Sequence, residues 1–149
     1  MARVSGLNHV TLAVSDLDRS LAFYRDLLGL TLRARWAEGA YLEAGSLWLC
    51  LSVGPVTARE DYTHLAFDVA AAEFDALAEA VRAAAPVWRE NRSEGASLYM
   101  LDPDGHRLEL HAGSLRSRLD HYLADPRSAV EVFDGSRESG GSRALTKLP

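Results

Sequence analysis

Apolar and polar positions alternate through His9-Val10-Thr11-Leu12-Ala13-Val14, so Val10, Leu12 and Val14 share one face of a strand and His9 and Thr11 take the other. The period then lengthens. Ser15-Asp16-Leu17-Asp18 is a capping cluster, Leu17, Leu21, Tyr24, Leu27 and Leu28 recur at helical spacing, and Gly29 closes the helix as a left-handed cap. Strand patterning returns near 31–36, 40–44 and 47–53, with turns at Glu38-Gly39 and Ala44-Gly45-Ser46. The order βαβββ then repeats: a strand at 64–69 with Leu65, Phe67 and Val69 on one face, a helix around 72–84 striped by Phe74, Leu77 and Val81, and strands near 86–90, 97–101 and 106–111. Asp102-Pro103-Asp104-Gly105 joins the last two, Pro103 presetting a turn and Gly105 accepting positive φ. Two βαβββ modules within about 110 residues indicate an internal duplication and an α+β fold.

A sheet that covers one face with its helix leaves the other concave, so pairing two modules creates a cleft. His64, like His9, opens its strand on the face opposite the apolar side chains. In His106-Arg107-Leu108-Glu109-Leu110-His111, Leu108 and Leu110 face one way and Arg107, Glu109 and His111 the other. His9, His64 and Glu109, each from a separate strand, make a two-histidine, one-carboxylate set that binds a divalent cation while leaving coordination positions open for substrate. His111 reads as a histidine at the rim.

The modules span about 6–54 and 61–112, with Gly54 to Asp61 as linker, inside one domain of residues 1–125. Beyond Asp125 the apolar pattern fails, and 126–149, rich in Gly and Ser from Asp134 to Arg143, is expected to be a flexible tail. The longest apolar runs are too short to span a bilayer and Met1-Ala2-Arg3-Val4-Ser5 carries no signal-peptide apolar region, so a cytoplasmic location is expected. A single cysteine, Cys50, precludes an internal disulfide and agrees with a reducing compartment. The net charge of -5 argues against a general affinity for nucleic acid or anionic membrane. Arginines nevertheless gather in the second half, at Arg89, Arg92, Arg107, Arg116 and Arg118, where they can hold a small anion.

Several stretches resemble the vicinal oxygen chelate superfamily and, within it, the fosfomycin-resistance glutathione transferases of the FosA type. They are Gly6-Leu7-Asn8-His9 with Thr11, Phe23 to Gly29, Gly39-Ala40-Tyr41-Leu42-Glu43, Ser46 to Ser52, Asp61-Tyr62-Thr63-His64, Asn91-Arg92-Ser93-Glu94-Gly95 and Leu101 to Glu109. The resemblance implies that His9, His64 and Glu109 bind Mn(II), and that a swapped homodimer supplies the first histidine from one subunit and the other two ligands from its partner. It also implies a potassium-binding loop of Asn91, Ser93, Glu94, Gly95 and Ser97. Ser93, Tyr99, Arg118 and Arg89 would hold the phosphonate of fosfomycin. Thr11 would hydrogen-bond the reacting oxirane, and Tyr41 would contact the thiol of the co-substrate glutathione. Trp36, Glu38, Trp48, Cys50, Ser52 and Arg92 match the glutathione region. Two residues depart from the family pattern: Arg89 stands where a lysine is common, and Glu38 where glutamine is frequent.

Neighbouring activities read less well. An isomerase of the glyoxalase I kind needs a carboxylate from the first module, but aligning the two modules on Gly45 and Gly105 sets Leu49 in the position of Glu109. Extradiol dioxygenases resemble the chain less. A fosfomycin epoxide hydrolase uses an added carboxylate where this chain has Gly39, which cannot accept a proton. Bacillithiol as co-substrate stays open. A metal-free drug-sequestering protein of the same fold is disfavoured by retention of all three ligands.

Overall fold

A computed structural model describes residues 2–133, 135, 144 and 145. The first module contains β1 (His9–Val14), α1 (Leu17–Leu21) running into a π-helical segment at Ala22–Leu27, β2 (Thr31–Trp36), β3 (Gly39–Ala44) and β4 (Leu47–Val53). Its sheet has the order β1-β4-β3-β2. The second contains β5 (Leu65–Asp68), α2 (Ala71–Ala84), β6 (Val87–Arg89), β7 (Ala96–Leu101) and β8 (Arg107–Ala112), in the matching order β5-β8-β7-β6. In each sheet the first and last strands pair in parallel and the others antiparallel. The duplicated α+β architecture expected from the alternation is therefore present. Among the described residues, no helix is long and apolar enough to cross a membrane.

Local chemistry explains the elements. Asp16 caps α1 by accepting from the Arg19 amide at 2.9 Å. The helix then widens: the Leu28 amide reaches back five residues to the Phe23 carbonyl at 3.0 Å. That wider turn brings consecutive aromatics inward, leaving both Phe23 and Tyr24 buried. Gly29 follows at φ +79°, the left-handed cap its position predicts. Pro86 stops α2 directly after its last hydrogen bond, from the Ala85 amide to Val81.

A further helix, α3 (Leu115–Ala124), is not foreshadowed by periodicity, because it buries none of its residues. It starts on a reciprocal cap in which Ser114 and Ser117 each accept the other's backbone amide at 3.0 Å. Within the expected tail, β9 (Val132–Phe133) pairs with β10 (Ala144–Leu145), and Val132 is buried. The other residues beyond 133 in that stretch, except 135, lie outside the described set.

The two sheets share one hydrophobic core, in which Leu21, Tyr24, Leu42, Leu49 and Leu51 join Val81, Met100, Leu108 and Leu110. A polar clasp locks the β7–β8 turn onto β1 and α1. Tyr24 donates its hydroxyl to Asp102 Oδ2 at 2.7 Å, while Asp102 Oδ1 accepts from the amides of Asp104 and His106 at 2.9 and 2.8 Å. His106 Nε2 donates to the Ala13 carbonyl at 2.7 Å, and Ser15 donates both amide and hydroxyl to the Asp104 carboxylate. Burial, reinforced by Asp102, pushes the Tyr24 phenol far above its ordinary range, so it stays protonated as a donor.

Candidate functional site

The second sheet brings His64 and Glu109 together. Cross-strand register sets Ala66 beside Glu109 and Glu109 beside Tyr99, and His64 immediately precedes β5. The segment before it is shaped by Asp61, which accepts from the Thr63 amide at 3.0 Å and pairs with Arg59. Hydrogen bonding from Arg59, with help from Thr63, holds the Asp61 carboxyl well below the usual carboxylate range. That turn aims the Tyr62 carbonyl at His64 Nδ1, 2.7 Å away.

A carbonyl only accepts, so His64 carries a proton on Nδ1 and turns Nε2 toward Glu109 Oε2 at 2.9 Å. In neutral imidazole that nitrogen bears a lone pair, and it faces a carboxylate that is almost fully buried. Two electron-pair donors that close require a cation between or beside them, either a proton or a metal. One imidazole nitrogen and one carboxylate oxygen, oriented by a backbone carbonyl and a hydroxyl, fit a divalent metal ion that accepts mixed nitrogen and oxygen ligands.

An aromatic wall surrounds the pair. Tyr62, Trp88 and Tyr99 lie with ring centroids 4.9, 5.8 and 5.7 Å from that of His64. The Arg89 guanidinium sits 4.4 Å over the Tyr62 ring and 5.9 Å from that of Tyr99. Burial pushes the Tyr99 phenol up, against an opposing hydrogen bond with Ser93, and keeps it a neutral donor. Among the loop residues, Asn91 closes the turn by donating to the Gly95 carbonyl at 2.9 Å and accepting from Ser93. Arg118, reaching in from α3, donates to the Glu94 carbonyl at 2.7 Å and lies 3.2 Å from its carboxylate. Arg92 is exposed on the same loop.

The concave face of the first sheet carries the other group. Register aligns Thr11, Cys50 and Tyr41 in one row across β1, β4 and β3, and His9 with Trp48 in the next. The rings form a continuous chain: His9 to Trp48 at 4.7 Å, Trp48 to Tyr41 at 5.1 Å and Tyr41 to Trp36 at 4.9 Å. Trp36, Tyr41 and Trp48 are each more than a third exposed, an unusual concentration of open aromatic surface. Gly39 is necessary there, since a Cβ would fall 2.5 Å from the Trp36 ring and 2.7 Å from the Leu51 carbonyl. Glu38 and Ser52 are exposed beside the row, whereas Cys50 is buried within it.

His9 is not brought to His64 and Glu109 within one chain. Among the described residues no trio of His, Cys, Asp or Glu is gathered closely enough to hold a metal. Three contributors escaped the reading of the sequence. Tyr62 stands two positions before His64, a spacing that face alternation could have flagged, whereas Trp88 joins His64 where the β6–β7 register is irregular. His111 is no rim residue: it is partly buried and shares the Ser97 hydroxyl with Glu109. It also lines a cleft of about 470 Å³ with Asp68, Ser114, Leu115 and Arg118.

The family model for the glyoxalase/bleomycin resistance protein/dioxygenase superfamily matches residues 6–110. The chain is 53% identical over 122 residues to the glutathione transferase FosA of Serratia marcescens, covering 78% of this chain and 86% of that protein. It is 36% identical over 139 residues to the metallothiol transferase FosB of Lysinibacillus sphaericus, covering 88% and 98%. The solved fosfomycin resistance protein FosX from Listeria monocytogenes superposes with a TM-score of 0.72 at 32% identity, covering 80% of this chain and 100% of that one. A FosX variant crystallised with Mn(II) and 1S,2S-dihydroxypropylphosphonic acid gives a TM-score of 0.71 at 30% identity, over 78% and 99%.

Proposed function

The chain belongs to the glyoxalase/bleomycin resistance protein/dioxygenase superfamily, and from that premise we propose that it is a metal-dependent transferase that inactivates fosfomycin by adding glutathione across its epoxide. The observation that carries the reading is the His64 Nε2–Glu109 Oε2 pair, held by Tyr62 and Ser97 within a wall of aromatic rings and arginine. His64 and Glu109 would hold Mn(II), with His9 of a second copy as third ligand in a swapped homodimer. Asn91, Ser93, Glu94, Gly95 and Ser97 offer the hydroxyl, amide and backbone oxygens that suit a potassium ion. When bound, the divalent cation supplies Lewis-acid polarisation of the oxirane C–O bond.

The chain's own side chains do the rest. Arg89, oriented by the Tyr62 face, supplies charge-assisted hydrogen bonds to the phosphonate, with the Tyr99 phenol and Ser93 hydroxyl as neutral donors. Arg118 braces the loop through Glu94 and contributes its charge from behind. Thr11 offers its hydroxyl to the oxirane oxygen as the ring opens. Trp36, Tyr41 and Trp48 give glutathione an apolar bed, and Tyr41 contacts the thiol, with Glu38, Cys50, Ser52 and Arg92 around it. Thiol addition forms one C–S bond and breaks one C–O bond, and the proton lost from the thiol ends on the freed oxygen, leaving a hydroxyl on the adjacent carbon.

The test is to offer fosfomycin with glutathione, bacillithiol or water alone, in Mn(II) and K+, and to weigh the products. A glutathione adduct is expected. A diol alone would reassign the chain to hydrolysis, a bacillithiol adduct alone would change the thiol, and tight fosfomycin binding without product would mean sequestration.

A further inference from the structure

We propose that His111 is a positioning residue that aligns Glu109 and at the same time props the loop 91–95, coupling the proposed divalent and monovalent cation sites through one ring. The inference rests on the transferase reading above for the identity of the two cations. The directions of the hydrogen bonds follow from counting protons. Glu109 Oε1 accepts from Ser97 Oγ at 2.6 Å, which uses the only proton that hydroxyl has. Ser97 Oγ therefore accepts from His111 Nδ1 at 2.7 Å, and the relay runs from His111 N–H through Ser97 O–H to the carboxylate. Nδ1 also lies 3.5 Å from the same carboxylate oxygen. With Oε1 tethered in this way, Oε2 remains turned toward His64.

The ring occupies a slot cut by two glycines. A Cβ on Gly95, at φ +86°, would approach His111 Cε1 to 2.9 Å, and one on Gly113 would approach Nε2 to 2.6 Å. Gly95 belongs to the loop whose carbonyl Asn91 grips, so the imidazole edge is a wall of that turn. A single side chain thus touches the loop by packing and the carboxylate by a hydrogen-bond relay. Groups that orient a ligand from outside its coordination shell typically alter metal affinity by about 10–100-fold when removed.

The test compares His111→Leu, His111→Asn and His111→Gln with the unaltered protein, reading Mn(II) affinity from the free-ion electron paramagnetic resonance signal and K+ dependence from the half-activating concentration. Asparagine places an N–H donor where Nδ1 stood; glutamine places its amide near the former Nε2. Leucine, which has neither the donor nor the ring, is expected to weaken Mn(II) binding about tenfold and to raise the K+ requirement; asparagine, which keeps the donor but not the ring edge against Gly95, should hold Mn(II) affinity within about threefold while raising the K+ requirement, and glutamine, which lacks the donor, should lose Mn(II) affinity like leucine. Should leucine fail to fold, the contrast between asparagine and glutamine carries the same test. Equal Mn(II) and K+ dependence in all four proteins would overturn the coupling while leaving the transferase reading intact. Absence of Mn(II) binding or thiol addition in the unaltered protein would instead remove the reading beneath it.

Discussion

Glu109 illustrates how much of this site is decided by one side chain's two ends. Oε1 accepts from the Ser97 hydroxyl and Oε2 is turned toward His64, so both ends of the carboxylate are oriented. Glu109→Gln retains an acceptor for Ser97 and presents an amide donor to His64 Nε2, which preserves the local hydrogen bonds while deleting the charge. Its melting temperature should stay within a few degrees of the parent, and Mn(II) affinity measured by titration calorimetry should fall by about tenfold or more. Undiminished affinity would show that the carboxylate is not a ligand. Residue types and strand alternation were enough to nominate His9, His64 and Glu109. The partners that orient them were not, because a face does not specify a neighbour: His111 becomes significant only once Ser97, fourteen positions away, is seen between it and Glu109.

Among the elements, the strands were legible because alternating side chains sort themselves between core and cleft, and β1 and β5 do so with the same phase. The π-helical turn after α1 was hidden, since its apolar spacing barely differs from that of an α-helix while its hydrogen bonds shift by a residue. α3 was hidden for the opposite reason: with no buried face it leaves no period to read. The clasp between the β7–β8 turn and the π-helical segment joins Tyr24 to Asp102 across 78 positions, beyond any local pattern. Its energetics can be isolated. Tyr24→Phe removes the buried donor and should cost about 1–3 kcal/mol near neutral pH. Because the folded phenol is held above its unfolded value, this contribution is full below about pH 10 and declines as pH rises further, where only the unfolded chain loses the proton, at up to about 1.4 kcal/mol per pH unit. Denaturant melts at rising pH should therefore show the gap between parent and Phe variant narrowing above pH 10; a constant gap would refute the linkage.

For the whole molecule, the division of labour between modules is the informative feature. The first sheet carries His9, Thr11 and the exposed aromatic chain; the second carries His64, Glu109 and the arginine-lined wall. If a partner completes the ligand set, two defective variants should repair each other. A dimer of His9→Ala with Glu109→Ala concentrates both lesions in one site and leaves the other intact, so refolding an equal mixture should recover about a quarter of the parent activity. Activity in the mixture no greater than in either variant alone would argue against sites shared across subunits.

The open faces of the two sheets also hold every indole in the chain: Trp36 and Trp48 in the first row of rings, Trp88 beside His64. On the proposed reading, native emission is thus drawn from side chains that line both substrate walls, with no background from indoles elsewhere. If the proposed sites hold, a thiol on one wall or an anion on the other would be followed by optical titration without attaching a dye, and removing Trp88 alone would tell the two walls apart.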